Sequence, residues 1–494
     1  MTLTLLNARI PGERSLIGSL INVVIEKGII RDIDFVGATG VISLTEVEGE
    51  TIDLEGRYIV PGLWDNHVHF STWSQVRRRV DVSASNSLEQ IVGIVRQWVD
   101  AGKGPFLGAK FLANLWPVQP HFSALDAVSG ETPVYILSAD LHSVWLNSAA
   151  LAEQGKTGHS TGYLVEQDAF GVMMALNSVG ADVGDACAAE AALAAAARGI
   201  VGIVDFEMDW NVASWRRRIA GGINQLRVEF GIYGHYIDRA IEMGLRSGDT
   251  IASTDGLLRV GSHKIISDGS LGSRTAFCYA EYPGMTGQPH SHGVLNVPYS
   301  DLVGIMAKSW SAGLAVAVHA IGDRANTVAI DAFEAVQCEG SIEHAQLLTY
   351  ADIGRLAKLG IRASVQPEHA MDDRDSADIL WAGRTSGAFP FRDMLTAGVQ
   401  LAFGSDAPVA PLDPWLAIAS AVERTRDGLP PWHPEQRIAP EAALAASTRS
   451  RIAVGEPADV VIVEHDPLLS SVDELRNMPV ALTLLAGRVT HSAL

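Results

Sequence analysis

The stretch Ile59–Phe70, IVPGLWDNHVHF, decides the fold because it runs from apolar residues into two histidines one residue apart. On an extended strand, side chains at positions i and i+2 project from the same face. We therefore expect His67 and His69 to face one cation from the end of a single strand. A chain of this histidine content has about half an H-x-H pair by chance, so the pair matters only if further ligands follow downstream.

Eight strand-like apolar runs alternate with helical patterns along most of the chain, which is typical of βαβ units in a parallel sheet. Eight is also the number of strands that closes a (β/α)8 barrel. The expected strands are Ile59–His69, Gly199–Phe206, Leu226–Tyr236, Leu258–Ser267, Gly313–Ala320, Gly340–Ala345, Gly360–Gln366 and Val399–Asp406. The expected helices between them include Ala186–Arg198, Ala325–Gln337 and Tyr350–Leu359. We predict an α/β fold built on a TIM-like barrel.

The two ends of the chain are expected to form one small β-domain, because sheets of two or three strands are marginally stable alone. The expected strands of this domain are Thr2–Leu6, Leu20–Glu26, Gly28–Phe35, Val41–Val47, Thr51–Leu54, Asp459–Glu464 and the run Ala481–Thr490. We assign residues 1–56 and 452–494 to this composite β-sandwich and residues 57–451 to the barrel.

One connection within the barrel is far too long for a βα loop. Residues 71–185 separate the first two barrel strands and contain elements of their own, including Leu88–Ala101 and Pro133–Ala139. Structureless loops of that length are rare in compact domains. We therefore interpret residues 71–185 as an insertion subdomain over the barrel mouth.

The composition excludes several classes of protein. A formal net charge of −20 argues against binding to nucleic acids or anionic membranes. We expect no signal peptide and no membrane span, since no apolar run reaches about 18 residues. The three cysteines are scattered without a CxxC pair, which argues against a disulfide framework and a thiolate zinc site. We expect a cytoplasmic homodimer with a small-molecule substrate.

Polar side chains stand where five of the expected barrel strands end, and this rim is where such barrels build their active sites. They are His67 and His69, Lys264, His319, His344 and Asp406. Imidazole nitrogens and carboxylate oxygens are the ligands of zinc in hydrolytic sites, and bound zinc lowers the pKa of water to about 7. We expect Asp406 to bind metal through one oxygen and to take the proton of the water through the other.

Lys264 is the unusual member of this set, because a bare ammonium inside a barrel is costly and repels cations. A neutral lysine reacts with CO₂ to give a carbamate, an anionic oxygen donor that can bridge two metal ions. The alternative is that Lys264 forms an ordinary salt bridge, for example with the nearby Asp268. The alternative for any one histidine is a packed core or surface residue, but this does not explain four of them at the ends of separate strands together with Asp406.

The chain resembles the amidohydrolase superfamily, and within it the branch of YtcJ-type proteins and N-substituted formamide deformylases (amidohydrolase family 3). The motifs that carry the resemblance are PGLWDNHVH (61–69), ADLHSVWLNSAAL (139–151), KIISDGSLGSRTA (264–276), VHAIGDRA (318–325), IEHAQ (342–346), QPEH (366–369) and GSDAPV (404–409). The resemblance implies a (β/α)8 barrel, a composite β-sandwich and metal-dependent hydrolysis. It also implies one or two zinc ions, with the following ligands: His67, His69, His319, His344, a carboxylated Lys264, and Asp406, which is also the general base.

Four further residues are candidates for contact with substrate. His142, from the insertion, would polarise a carbonyl or hold an oxyanion, or else it packs within its loop. His369 follows the seventh strand and would lie beside the metals. Arg274 would bind a substrate carboxylate or brace its glycine-rich loop. Trp116, in the insertion, suggests an apolar or aromatic pocket, although aromatic residues usually belong to the core.

We predict a metal-dependent hydrolase of a carbon–nitrogen bond that is not a peptide bond, such as an N-substituted amide or formamide. Metal-bound hydroxide would attack the carbonyl carbon, polarised by a metal and by His142, and Asp406 would return the proton to the leaving nitrogen. Asp65 and Asp205 are better interpreted as groups that orient ligands. Because substrate choice depends on loops rather than on fold, hydrolysis of cyclic amides, carbamates or esters stays open. So do a non-hydrolytic metal-dependent isomerase and a metal-stabilised binding protein.

Overall fold

The computed structural model describes residues 2–12, 20–36, 49–112, 116 and 118–494. The chain begins with strands of a mixed sheet: β1 (Thr2–Arg9), β2 (Leu20–Glu26), β3 (Ile29–Phe35), β4 (Glu50–Asp53) and β5 (Tyr58–Pro61). β2 pairs antiparallel with β1 and β3, whereas β4 and β5 run parallel to β1. The expected strand Val41–Val47 lies outside the described residues.

The chain passes from this sheet into the barrel at Gly62, where β5 ends and β6 (Leu63–Val68) begins. A Cβ at Gly62 would lie 2.5 Å from the Val201 side chain and 3.1 Å from the Asp459 carbonyl oxygen, so the corner requires glycine. The expected first barrel strand Ile59–His69 is therefore wrong at its N-terminal end. Its apolar pattern continues across a corner at which the chain changes sheets.

The insertion after β6 has elements of its own, as expected, and its strands form a separate sheet. Its strands are β7 (Val80–Asp81), β8 (Phe106–Phe111), β9 (Val134–Ser138), β10 (Ser143–Leu146) and β11 (Tyr163–Val165), in the order β11-β10-β9-β8-β7. Its helices are α1 (Phe70–Val76), α2 (Leu88–Asp100), α3 (Phe122–Ser129), α4 (Ser148–Glu153) and α5 (Gln167–Asn177). The buried face of α2 carries Ile91 and Val95, which belong to the same apolar cluster as Phe106 and Trp145 of the sheet.

All seven remaining barrel strands are confirmed within a few residues. They are β12 (Ile200–Asp205), β13 (Arg227–Tyr233), β14 (Leu258–Ile266), β15 (Val316–Ala320), β16 (Gly340–His344), β17 (Arg362–Val365) and β18 (Leu401–Phe403). The accompanying helices are α6 (Ala181–Ala196), α7 (Asn211–Ala220), α8 (Ile237–Glu242), α9 (Tyr299–Ser311), α10 (Asp323–Val336), α11 (Tyr350–Leu359), α12 (His369–Asp372), α13 (Arg374–Leu380), α14 (Phe391–Ala397), α15 (Pro414–Glu423) and α16 (Pro440–Ala446). Short 3₁₀ helices lie at Gly234–Tyr236, Thr385–Gly387 and Pro434–Gln436. Neighbouring barrel strands are all parallel.

The barrel nearly closes between β18 and β6, the last and first of its eight strands. The Asp406 backbone N–H donates to the His67 carbonyl oxygen at 2.7 Å, and the His69 N–H donates to the Ala407 carbonyl oxygen at 2.9 Å. Lower in the seam, the Asn66 side-chain amide donates to the carbonyl oxygen of Phe403. These bonds position three candidate ligands at the same rim.

The C-terminal strands return to the first sheet, as expected for a composite domain. β19 (Val460–Val463) pairs with β5, and β20 (Val480–Leu485) and β21 (Arg488–Ser492) continue the sheet, with α17 (Val472–Arg476) between β19 and β20. Apolar side chains of both chain ends form one cluster, including Leu5, Ile25, Val460 and Leu484. The residue boundaries of the three domains stay a prediction. Across the described part of the chain, no helix combines the length and the apolar character needed to cross a bilayer.

Candidate metal centre

The ends of the barrel strands bring five predicted ligands into one cluster. The Nε2 atoms of His67 and His69 lie 3.4 and 3.3 Å from Oδ1 of Asp406. The ring centroid of His344 lies 5.0 Å from that of His67 and 4.4 Å from that of His319. These side chains come from β6 and the residue just after it, from β15 and β16, and from the segment after β18, so the cluster exists only in the closed barrel.

Two overlapping sets of side chains have the spacing that a metal ion needs. One comprises His67, His69 and Asp406, and the other comprises His344, His369 and Asp406; within each set the donor atoms lie within 4.8 Å of one another. Asp406 belongs to both sets. His319, predicted as a ligand, reaches the cluster through its ring contact with His344. His369, predicted as a substrate contact beside the metals, shares the second set with His344 and Asp406.

Two of these residues have backbone conformations that residues other than glycine rarely adopt. His344 has φ +75° and Asp406 has φ +56°, in the left-handed region that residues other than glycine rarely occupy. Strain of this kind costs about 1–3 kcal/mol and is concentrated at functional sites. The positions of these two side chains are therefore maintained at a cost to stability, which is consistent with a functional role.

Glu343 is a residue of the cluster that the sequence interpretation missed. Its Oε2 accepts a hydrogen bond from Nδ1 of His67 at 2.7 Å, and its Oε1 accepts one from Ser341 at 2.5 Å. Burial raises the pKa of the Glu343 carboxyl, but the bond from His67 and the charge of Lys264 outweigh this and lower it to about 2. Burial and Lys264 lower the pKa of His67 to about 4. The imidazole is therefore neutral, with its proton on Nδ1 and a lone pair on Nε2. The signal in the sequence was a carboxylate directly before the predicted ligand His344 in a barrel strand.

Asp268 contacts a histidine rather than the lysine. Its Oδ1 accepts hydrogen bonds from Nδ1 of His319 at 3.0 Å and from the Ile321 N–H at 3.1 Å, and its Oδ2 accepts one from the Gly322 N–H at 2.9 Å. The alternative of a salt bridge between Lys264 and Asp268 is therefore wrong, because this carboxylate is engaged by the next barrel strand. Its bond to His319 fixes the orientation of that ring.

Lys264 lies on the barrel interior, where only 3% of the residue is exposed. Its Nζ lies 3.3 Å from Nε2 of His67 and 4.5 Å from the ring centroid of Phe206. Burial lowers the pKa of the ammonium to about 8, although the charges of Glu343 and Asp406 oppose the shift. Its amine is therefore more readily neutral than that of an exposed lysine.

Asp65 and Asp205 hold the backbone beside the ligands, in agreement with the orienting role expected of them. Oδ1 of Asp65 accepts the N–H groups of His67 and Ser405, both at 3.0 Å, and so joins the two sides of the seam. Oδ1 of Asp205 accepts the N–H of Phe70 at 3.0 Å. Burial raises the pKa of Asp65 to about 7 and that of Asp205 to about 6.

His142 lies in the turn between β9 and β10 of the insertion, with 18% of its side chain exposed. Its backbone N–H donates to Oδ1 of Asp140, and its Nδ1 lies 3.2 Å from Oε2 of Glu166. Burial lowers the pKa of this imidazole, but Glu166, Asp140 and Asp406 outweigh it and raise the pKa to about 9. His142 is therefore a cation at neutral pH, held where the charge of Asp406 influences it.

The other three predicted contact residues occupy different environments. The ring of His369 stacks on that of His344, with 6.1 Å between centroids and 15° between planes. Trp116 lies in the apolar core of the insertion, 6.1 Å from the ring of Phe111. The Arg274 side chain is exposed and has no hydrogen bond or ion pair to the described residues. The roles of these three in substrate binding stay predictions.

The amidohydrolase family profile matches residues 50–491, which is nearly all of the described chain. The chain belongs to the amidohydrolase family. This amidohydrolase is 25% identical to the putative amidohydrolase YtcJ of Bacillus subtilis (strain 168), over 90% of this chain and 91% of YtcJ. It is also 25% identical to the N-substituted formamide deformylase of Arthrobacter pascens, again over 90% of this chain and 91% of that enzyme. Both matches confirm the resemblance seen in the motifs.

The fold of this amidohydrolase recurs in a solved structure of an uncharacterised metal-dependent hydrolase from Pyrococcus horikoshii OT3. The two have a TM-score of 0.77 and 24% sequence identity, over 96% of this chain and 99% of the other. This match confirms the TIM-like barrel and the accompanying sheets.

Proposed function

We propose that this amidohydrolase is a metal-dependent hydrolase that cleaves an amide- or formamide-type carbon–nitrogen bond. One observation carries the metal requirement. Because the Nδ1–H of His67 donates a hydrogen bond to the Glu343 carboxylate, the lone pair of its Nε2 faces the Asp406 carboxylate oxygen at 3.4 Å. A neutral imidazole nitrogen and a carboxylate are both acceptors, and they repel each other unless a cation lies between them.

The remaining donors support the same conclusion. Nδ1 of His344 and Nε2 of His369 are buried and have no hydrogen-bond partner among the described residues. Buried polar atoms without partners are rare, whereas neutral imidazole nitrogens and carboxylate oxygens are the donors that zinc binds. We propose that His67, His69, His344 and Asp406 hold one or two zinc ions, with His369 as a further donor and His319 beside them. The bound metal would polarise a carbonyl oxygen and lower the pKa of a water molecule.

We further propose that Lys264 is carboxylated. Its neutral amine adds to the carbon of CO₂, a new N–C bond forms, one proton leaves to solvent, and the product carries a charge of −1. The lowered pKa of about 8 makes this addition easier at neutral pH. Two divalent ions bring four positive charges, and neutral imidazoles with Asp406 offset one of them. A carbamate at Lys264 would offset a second, which reduces the energetic penalty of burying like charges.

The side chains of the protein then have separate tasks. Asp406 takes a proton from the attacking water and gives it to the leaving nitrogen, as a general base and then a general acid. Nε2 of His142 donates a hydrogen bond to the carbonyl oxygen as negative charge develops there. The 25% identity to an N-substituted formamide deformylase supports a carbon–nitrogen bond as the target. The homodimer and the cytoplasmic location remain proposals.

A substrate panel tests this proposal. Zinc-loaded protein would be incubated with formanilide, an acyclic amide, a cyclic amide, a carbamate, an aryl ester and a dipeptide, and the release of amine or alcohol would be measured. We expect release of amine from formanilide or the acyclic amide, and loss of that activity after chelation with recovery on zinc addition. Hydrolysis of the ester, carbamate or cyclic amide alone would overturn the assignment of bond type.

A further inference from the structure

Glu166 is a charged residue of the insertion at which three structural elements meet. It follows β11 and precedes α5, with φ +51°. Its backbone N–H donates to the His142 carbonyl oxygen at 2.9 Å, and its carbonyl oxygen accepts the N–H of Phe170 at 2.8 Å. The ring of Phe170 packs edge-on against that of His142, with 5.6 Å between centroids. Backbone and side-chain contacts of Glu166 therefore converge on the same histidine.

The carboxylate of Glu166 determines which nitrogen of His142 is free. Both oxygens lie within 3.3 Å of Nδ1 of His142. Nε2 of His142 has no hydrogen-bond partner in the described part of the chain. An imidazole whose Nδ1–H is held by a carboxylate presents Nε2 to whatever lies beyond it, and its protonated form is stabilised. This is the arrangement needed for a hydrogen-bond donor to substrate.

The same carboxylate ties the insertion to the barrel. Oε1 of Glu166 accepts a hydrogen bond from Thr275 Oγ1 at 2.8 Å, and Thr275 lies in the loop that follows β14, the strand of Lys264. A Cβ at Gly269 in this loop would lie 1.9 Å from Thr275 Oγ1 and 3.4 Å from Oε1 of Glu166, so glycine is needed for the approach. A second link joins Ser270 Oγ to Oδ2 of Asp140 at 3.4 Å.

The carboxylates around His142 all raise the pKa of its imidazole. The carboxylates that interact with its imidazole are Glu166, Asp140 and Asp406, and they raise its pKa to about 9 against the effect of burial. Burial raises the pKa of Glu166, but its contacts with His142 and Thr275 outweigh burial and lower the pKa to about 2. The pair therefore stays ionised throughout the neutral range.

We propose that Glu166 is a positioning residue, which holds His142 as a hydrogen-bond donor toward the substrate and sets the insertion on the barrel through Thr275. This inference rests on the proposed function, in which His142 contacts the carbonyl oxygen. The insertion then has a defined part in the reaction. It brings the cationic His142 to the mouth of the site, whereas the barrel supplies the metal ligands.

Four variants of the zinc-loaded, full-length protein test this role. Glu166→Gln removes the charge, Glu166→Asp keeps it, and Thr275→Val removes only the link to the barrel loop. The matched control is Glu153→Gln, which alters a carboxylate bonded to Tyr135 elsewhere in the insertion. The pKa of the His142 imidazole would be measured by NMR of ¹⁵N-histidine-labelled protein, with His142→Asn identifying its signals. The kcat and KM for formanilide would be measured across pH.

We expect Glu166→Gln to lower the pKa of His142 by at least about one unit and to lower kcat about tenfold with little change in KM, since orientation matters most in the transition state. Glu166→Asp should keep most of the raised pKa of His142 and most of the parent kcat. Thr275→Val should leave the pKa unchanged, and Glu153→Gln should change neither quantity. An unchanged pKa in Glu166→Gln, or an equal loss in Glu153→Gln, would overturn the inference. Failure of every variant and the parent to cleave either formanilide or the acyclic amide, with the pKa shift intact, would instead refute the proposed function.

Discussion

Replacing Glu343 by Gln tests whether the second nitrogen of a candidate ligand controls metal binding. The carboxylate accepts the Nδ1–H of His67 at 2.7 Å in a buried environment. Hydrogen bonds to charged groups are worth about 1.5–3 kcal/mol and neutral ones about 0.5–1.5 kcal/mol. Glutamine keeps a neutral acceptor, so the variant loses about 1–1.5 kcal/mol of the interaction. Since 1.4 kcal/mol is a factor of about ten, we expect zinc affinity to fall about tenfold.

Competition with a chelator of known affinity measures this change directly. Metal-free parent and variant would be titrated with zinc in the presence of the chelator, and circular dichroism would establish that both are folded. Glu464→Gln is the control, because Glu464 forms an ion pair with Arg57 in the terminal sheet, and its affinity should equal that of the parent. Equal zinc affinity in Glu343→Gln and the parent would refute the reasoning that Glu343 directs the lone pair of His67 toward the metal.

Further predictions concern catalysis, metal and stability. Asp406→Asn should lower kcat about 10²–10⁴-fold while elemental analysis still finds zinc; retained turnover would discard the role of Asp406 as general base. Chelation should lower the thermal unfolding midpoint and zinc should restore it, because zinc at 100 times its Kd adds about 2.7 kcal/mol to stability. Although burial opposes it, Glu166 raises the pKa of His142 from 6.5 to about 9, and the pKa of Glu166 is itself lowered from 4.5 to about 2. The pair therefore stabilises the fold fully between about pH 4.5 and 6.5 and less as pH rises through 9. The unfolding midpoints of the parent and His142→Asn should therefore differ most near pH 6 and converge above pH 9, and a constant difference would contradict this. Arg449→Ala should lower the free energy of unfolding, measured in urea, by about 2 kcal/mol, because its guanidinium lies 3.9 Å from the centroid of a tryptophan ring and forms hydrogen bonds to two barrel strands. Arg451→Ala, at a side chain that is 83% exposed, should leave the free energy of unfolding almost unchanged.

The barrel could be predicted from sequence because its pattern is local. Each expected barrel strand is a largely apolar run, five of the eight carry a candidate ligand toward their end, and glycines or helical patterns separate the runs. The same feature located His67, His69 and Asp406 at strand ends. It misplaced the start of the first barrel strand, because apolar periodicity does not reveal that the chain changes sheets at Gly62.

These patterns do not predict contacts between residues that are far apart in the sequence. Glu343 and His67 are 276 positions apart, and only the closed barrel reveals that one orients the other. Asp268 lies four positions from Lys264, which suggested a salt bridge, but its carboxylate accepts the Nδ1–H of His319 instead. The position of His369 after the seventh strand was predicted correctly, whereas its stacking on His344 is a contact between different strand ends. Patterns along the chain thus predict which residues reach the rim, but not their partners there.

The most direct test of this account is X-ray anomalous scattering at the zinc absorption edge from crystals of zinc-loaded protein. We predict one or two anomalous peaks at the rim, within about 2.0–2.2 Å of imidazole nitrogens and of a carboxylate oxygen, with His67, His69 and Asp406 among the ligands. Protein that retains zinc but has no anomalous peak within reach of Asp406 would contradict the claim that the strand ends build a metal centre.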